Sequence, residues 1–332
     1  MLRGKNTKNS ESIYKRSIVS RFLEVFEISP LIVLILLSLI FTLADRFFIS
    51  TANFRVILSS ASFTGIISIG MALVFITGQF DLSAGGVAGF CAMVAAVFMT
   101  ILSLPVWLSL LAAFLIAVLI GLINGFLTVK LKIPPLVATL GMMFILKGGT
   151  MALTGGYSIY PLPESFNNLG RAKFFGLPWG VAIFIVLIFI LDFILRKTTF
   201  GRKVYATGAN ILVAKLMGIN TDLVKIITYV TVSILAALSG ILFMLNIRTG
   251  SPEIAGTWIL LIVAGVVIGG VSTFGGYGTI LGTVIGSLVV WFIRSGLTMI
   301  GARAEWQTAS IGIILILSTI FDSIRRRSKL SD

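Results

Sequence analysis

Long apolar runs separated by short polar links fill the chain from about residue 30 to residue 324. The runs at 31–43 and 181–195 are continuous, without two-residue alternation. That tells against a membrane β-barrel, whose strands read as alternating segments of about ten residues. A bilayer-crossing helix needs about 20 mostly apolar residues. Ten segments meet that requirement: 30–48, 54–78, 84–103, 106–128, 134–154, 178–196, 222–246, 257–273, 279–299 and 305–324. The pattern predicts an all-α, polytopic membrane protein with about ten transmembrane helices. The third and fourth are joined so closely around Ser103 and Pro105 that they must form a tight hairpin.

Composition supports a bilayer rather than a water-soluble core. Apolar residues make up 57% of the 332 positions and charged residues only 11%, against roughly 25% charged in soluble domains. The net charge is +14, yet the basic residues lie in short links between apolar runs rather than on one folded face, so no nucleic-acid partner is expected. No histidine is present and the single cysteine, Cys91, sits inside an apolar run. This excludes a histidine-based zinc site, a Cys–His nucleophile and an intramolecular disulfide. No catalytic residue, no metal ligand and no cofactor of the chain's own are expected.

Lysine and arginine in short links set orientation. Placing the N-terminus inside puts Lys130, Lys132, Arg196, Lys197, Arg202, Lys203 and Lys215 on the cytoplasmic side, with the basic termini. The other side keeps mainly Arg46, Arg171, Lys173, Arg248 and Arg303, with Asp45, Glu164, Glu253 and Glu305 beside them. Both termini are therefore expected in the cytoplasm. The chain divides into a cytoplasmic N-terminal segment 1–29, a transmembrane domain 30–324 and a cytoplasmic tail 325–332. The first 28 residues carry no obvious small-residue cleavage site before the first span, which reads as a retained anchor. Two links are longer. The outer one, 155–177, reads as an ordered cap. The inner one, about 197–221, contains good helix formers over 204–217, lacks proline there and offers Gly218 as a stop, predicting a short helix against the cytoplasmic face.

Three stretches stand out chemically. The first is Gly78-Gln79-Phe80-Asp81-Leu82-Ser83-Ala84-Gly85-Gly86. Asp81 is one of few acids near hydrocarbon, where an unpaired charge is expensive. It reads either as a cap of the third span, assisted by Ser83, or, with Gln79 and Ser83, as a polar pathway or gate residue. The second stretch runs from Gly265 through Gly269, Gly278 and Gly282 to Gly286. Glycines at four-residue spacing let helix backbones approach in lipid. A phosphate loop would need a Gly-Lys-Ser/Thr ending, and no lysine follows. The two glycine-rich turns resemble each other, suggesting a weak internal repeat. The third stretch, Gly201, Arg202, Tyr205, Gly208, Asn210 and on to Gly218, reads as an amphipathic cytoplasmic helix framed by glycines. It either lies on anionic lipid or docks a soluble partner. Lys147 and Arg294 fall within predicted spans, and snorkelling or pairing within the bundle accounts for them.

In order and spacing these motifs resemble the permease subunits of bacterial ABC importers for ribose and related monosaccharides, the branch that includes the rhamnose and autoinducer-2 permeases. Residues 78–85 stand where that family has Gly-Gly-Ile-Asp-Leu-Ser-Val-Gly, with Gln79 and Ala84 departing from it. Asn124-Gly125, Lys132-Ile133-Pro134-Pro135 and Ala138-Thr139-Leu140-Gly141 match a second family stretch. The 201–218 and 267–282 motifs match its coupling segment and its late glycine-rich element, while Trp258 replaces a common Glu-Leu pair. The resemblance implies a multi-pass protein of the bacterial cytoplasmic (inner) membrane, paired with a second permease subunit, identical or related. It also implies an extracytoplasmic sugar-binding protein docking on loops 155–177 and 247–257. Separate ABC ATPase subunits would bind the ATP and receive Gly201, Arg202, Tyr205, Gly208, Asn210 and Gly218. The cargo would be a monosaccharide-like sugar, with branched-chain amino acids or nucleosides as alternatives. An ion-coupled secondary transporter is a further alternative.

Overall fold

The structure, a computed structural model, describes residues 29–171 and 176–330. All but the last residue of the N-terminal segment 1–29 lies outside the described residues, as do Lys173 and residues 331–332. The ten apolar runs all fall on helices: α1 (Ser29–Ala44), α2 (Thr51–Ile76), α3 (Ala84–Thr100), α4 (Val106–Gly125), α5 (Pro135–Thr154), then, after the short helix α6 (Glu164–Arg171), α7 (Trp179–Lys197). Two short helices follow, α8 (Thr199–Ala209) and α9 (Ile211–Leu216), and then α10 (Thr221–Ile247), α11 (Trp258–Ile268), α12 (Ile280–Met299) and α13 (Ala304–Leu330). α4 runs on to Lys130 through one wider π-type turn.

Six of these are long and apolar enough to cross a membrane: α2, α4 with its extension, α5, α7, α10 and α12. The apolar parts of α1, α3, α11 and α13 are shorter. Two predicted runs end early for local reasons. The run at 257–273 stops as a helix at Ile268, because Gly269 closes it and Gly270 turns the chain at φ +80°. The run at 30–48 breaks at Asp45, whose carboxylate accepts the Phe47 amide at 2.8 Å and opens a 3-10 turn. α3 and α4 form the expected tight hairpin, with Ser103 at φ +52° in the connection.

α10 is the hub, packing most extensively on α4, α3 and α2, while α11 pairs with α12. Inside a bilayer these contacts cannot rest on water exclusion, so close packing and satisfied polar groups must hold them. Both are present. A Cβ on Gly240 would run into the Ala88 carbonyl, and one on Gly121 would lie 2.6 Å from the Val230 Cα. The Ser239 hydroxyl donates to the Phe63 carbonyl at 2.6 Å, and Trp291 Nε1 donates to Thr64 Oγ1 at 2.8 Å. Cys91 is fully buried as a packing residue. Arg294 lies 5.2 Å from the centre of the Trp291 ring, while Lys147 is exposed on α5.

Gly240→Val is expected to destabilise the protein by about 1–3 kcal/mol or more, the ordinary cost of overpacking. Gly312→Ala, where nothing lies within 4 Å, is expected to be neutral or stabilising. Thermal unfolding of the two variants beside wild type in one detergent tests the pair.

Candidate functional site

One end of the bundle gathers all three motif regions. α8 starts where Thr198 Oγ1 accepts the Gly201 amide at 3.3 Å. It buries Gly201, Val204 and Thr207 and exposes Arg202 and Lys203. A Cβ on Gly201 would collide with the Leu195 carbonyl, so the sharp turn out of α7 requires glycine there. Gly208 is packed harder still: a Cβ would overlap the Ile76 carbonyl oxygen at the end of α2 and lie 2.6 Å from the Gly276 nitrogen. The Gly276 amide in turn donates to that Ile76 carbonyl at 2.8 Å. The Tyr205 hydroxyl donates to the Gly278 carbonyl at 2.6 Å. Burial holds this phenol above its ordinary pKa, with smaller influences from Arg196, Asp192 and Tyr277, so it stays a donor at neutral pH. α8 is therefore joined to both glycine-rich turns by backbone-close contacts.

The predicted single helix over 204–217 is two helices. Asn210 leaves helical geometry at φ −158°, ψ 107°, and its Oδ1 accepts the Leu212 and Val213 amides at 3.0 and 3.1 Å. The helix propensity of this stretch is overridden because the side chain caps a new helix where the sequence pattern ran straight through. α9 ends at Met217 and Gly218, the latter at φ +76°. Its apolar residues are largely uncovered: Leu212 is 71% exposed, Leu216 88% and Met217 75%.

Gln79, Asp81 and Ser83 lie in the link between α2 and α3, at 8%, 1% and 0% exposure. Asp81 does not cap α3 through the first-turn amides. Its Oδ1 accepts the Ser83 amide at 2.8 Å and the Ser83 hydroxyl at 2.6 Å. Ser83 Oγ also accepts from Asn124 Nδ2 on α4 at 2.8 Å. Around this core the Leu82 amide donates to Thr139 Oγ1 of α5 at 3.0 Å, and the Tyr229 hydroxyl of α10 donates to the Phe80 carbonyl at 3.0 Å. Burial pushes the Asp81 carboxyl up to about 6, against the opposing pull of the Ser83 hydrogen bonds. Thr139 was noted from sequence only as part of the 138–141 motif and Tyr229 not at all, although a polar side chain inside an apolar run is the signal that marks both.

The late glycines divide between two settings. Gly265 of α11 and Gly269, which closes it, face Gly282 and Gly286 of α12 so closely that a Cβ on Gly286 would overlap the Gly265 carbonyl, and one on Gly282 the Gly269 carbonyl. Gly278 lies ahead of α12 in the turn, at φ +151°, with Val271 beside it.

A bundle with six helices long and apolar enough to cross a membrane, joined at one end by a polar, glycine-built junction, is the build of a multi-pass membrane protein. Residues 53–319 match the family described as branched-chain amino acid transport system / permease component, and the chain belongs to that family. Among its relatives, the autoinducer 2 import system permease protein LsrC of Photorhabdus luminescens is 34% identical over 297 residues, 89% of each chain. Its counterparts in Escherichia coli O9:H4 (strain HS) and Yersinia pestis (strain Pestoides F) are 33% and 32% identical, spanning 89% of this chain and 86% and 84% of theirs. No solved structure matches significantly. The chain is a transport component and not an enzyme.

Tyr205→Phe removes one hydrogen bond and leaves the Gly278 carbonyl to find another donor. A loss of about 1 kcal/mol is expected, measured as a lower unfolding temperature; a variant as stable as wild type would show that the contact holds nothing.

Proposed function

We propose that the chain is the membrane-spanning subunit of an ATP-binding cassette importer that carries a small sugar-like molecule of the autoinducer 2 kind. The observation that carries this reading is the α8–α9 pair. It presents Arg202 and an uncovered apolar α9, while its buried face is locked to both glycine-rich turns. Apolar side chains exposed beside a basic face outside the long apolar helices suit a cleft on a soluble partner. The locked face would pass that partner's movement to α2, α3 and α11. Gly201, Arg202, Tyr205, Gly208, Asn210 and Gly218 thus form the coupling element for an ATPase that binds and hydrolyses ATP on its own chain.

In this reading all ten apolar helices cross the inner membrane, with both termini and α8–α9 in the cytoplasm. A second permease subunit completes the pathway. Gln79, Asp81 and Ser83 hold the inner gate closed rather than touching cargo in this state. Gly265, Gly269, Gly282 and Gly286 keep α11 and α12 together as the bundle tilts, with Gly278 shaping the turn. A sugar-binding protein docks at the opposite end. There the Ile159 amide donates to the Gly250 carbonyl at 2.7 Å and the Gly250 amide returns a bond at 3.1 Å, tying the two outer loops into one surface. The cargo follows from the relatives, whose names specify autoinducer 2 import.

Co-purification with the ATPase and the binding protein in nanodiscs, with ATP hydrolysis followed against autoinducer 2, monosaccharides, branched-chain amino acids and nucleosides, tests the proposal. Stimulation by a sugar-like molecule, dependent on the binding protein, is expected. Stimulation only by an amino acid or a nucleoside would replace the cargo, and failure to bind any ATPase would sink the importer reading. Arg202→Glu and Leu216→Asp are each expected to lower stimulated hydrolysis about tenfold, roughly 1.4 kcal/mol of lost docking energy, with membrane insertion intact. Loss of insertion instead would assign this segment to the lipid surface.

A further inference from the structure

The Asp81 cluster holds a feature that transport does not by itself explain. Two acceptor oxygens are buried there without a donor: Asp81 Oδ2 and Asn124 Oδ1. Both belong to side chains joined through the same Ser83 hydroxyl, which accepts a hydrogen bond from Asn124 Nδ2 and donates one to Asp81 Oδ1. An orphaned buried acceptor is costly, and more so when it carries charge. No cation repairs the deficit. The ion pairs among the described residues are Lys130 with Asp222, Arg196 with Asp192 and Arg303 with Glu305, and none reaches Asp81.

The neighbours leave little choice of occupant. From α4 come Asn124 and Thr128, and the Thr128 hydroxyl is committed to the Asn124 carbonyl at 2.8 Å. From α5 comes Thr139, whose hydroxyl donates to the Pro135 carbonyl at 2.7 Å. From α10 comes Tyr229, the titratable group facing Asp81, whose proton goes to the Phe80 carbonyl. Within the link itself, Gln79 Nε2 donates to the Gly78 carbonyl at 3.1 Å. A metal cation would want about six oxygens, whereas two are unclaimed. A hydrogen on Asp81 Oδ2 needs only one acceptor, and Asn124 Oδ1 is an unclaimed one.

We propose that Asp81 is a proton-binding site: its Oδ2 takes up a proton from water, forming an O–H that donates to Asn124 Oδ1 and fastens the link between α2 and α3 to α4. One O–H bond forms, the carboxylate becomes a neutral carboxyl, and both orphaned acceptors are satisfied. When the link leaves Asn124 and meets water, the carboxyl returns to an ordinary acidity and releases the proton. The fastened state is thus favoured as pH falls. Asp81 holds its proton up to about pH 6 in this structure against an ordinary 3.8. Its contribution is fully present below the ordinary value and is lost as pH rises through about 6. The site needs no partner, so its test stands apart from that of the importer reading.

The full-length permease in nanodiscs, without ATPase or binding protein, is titrated by infrared spectroscopy at the carbonyl stretch of protonated carboxyls. Wild type is expected to show a band that disappears with a midpoint near 6, is missing from Asp81→Asn, and is indifferent to whether the salt is sodium, potassium or choline. The unfolding temperature of wild type is expected to fall across the same pH interval, and that of Asp81→Asn to stay level. Asn124→Asp puts a second carboxyl beside the first and is expected to move the midpoint upward, since neighbouring carboxylates resist joint ionisation. Three results would overturn the proposal. Absence of the band from wild type needs no folded variant and points to a buried water donating to both oxygens. A sodium-dependent midpoint points to a metal cation. An Asn124→Asp midpoint unchanged from wild type removes Asn124 as the acceptor.

Discussion

Backbones touching backbones hold this bundle together, and the rest of the structure depends on that closeness. In lipid, apolar side chains gain nothing by meeting each other rather than acyl chains, so helices associate where surfaces fit and polar groups find partners. Gly240 against Ala88, Gly121 against Val230, and the Gly265/Gly269 face of α11 against Gly282 and Gly286 are all sites where one methyl group would collide with main chain. Such contacts are stiff: there is no side chain to re-pack, so a helix pushed at one end moves as a body. On the proposed coupling role, that stiffness would let a movement at α8 reach α2 and α11 instead of dissipating in side-chain rotations.

The junction at α8 repeats the principle with a loop element. Gly208, Gly275, Gly276 and Gly78 come together so tightly that three chain segments meet within main-chain contact, sealed by the Gly276–Ile76 and Tyr205–Gly278 hydrogen bonds. A lone hydrogen bond is worth about 1 kcal/mol and would not hold such a joint. The glycine packing supplies the fit, and the Tyr205 bond keeps the register of α8 against the late turn.

The helical regions were legible in the sequence because a bilayer imposes a crude and strong rule, some twenty apolar residues at a time. That rule does not mark ends. Asp45 and Gly269 stop their helices through local hydrogen bonding and backbone geometry, which hydropathy does not register. The Asn210 break was hidden for a similar reason. Its flanking residues favour helix, and only the side chain's reach to the Leu212 and Val213 amides decides the matter. Gly208 and Gly201 were legible as unusual but not as contacts, since Gly208 touches Ile76 and Gly276, both far along the chain, and Gly201 the end of the preceding helix. Asp81 was visible as an acid in an apolar neighbourhood. Its setting was not, because Asn124, Thr139 and Tyr229 come from three different helices.

On the proposed importer function, the distribution of polar groups explains how so apolar a chain would serve a polar cargo. Several of its buried hydroxyls and amides are spent on structure: Ser239 on the Phe63 carbonyl, Trp291 on Thr64, and Ser83 between Asp81 and Asn124. A passage lined with strong, well-placed donors and acceptors would hold a sugar and slow its release. A passage with few of them lets it go, leaving recognition to whatever delivers the cargo at the outer end. On the proposed importer function the polar cluster would fasten the link, and weak contact with the cargo would be a condition of turnover rather than a missing site.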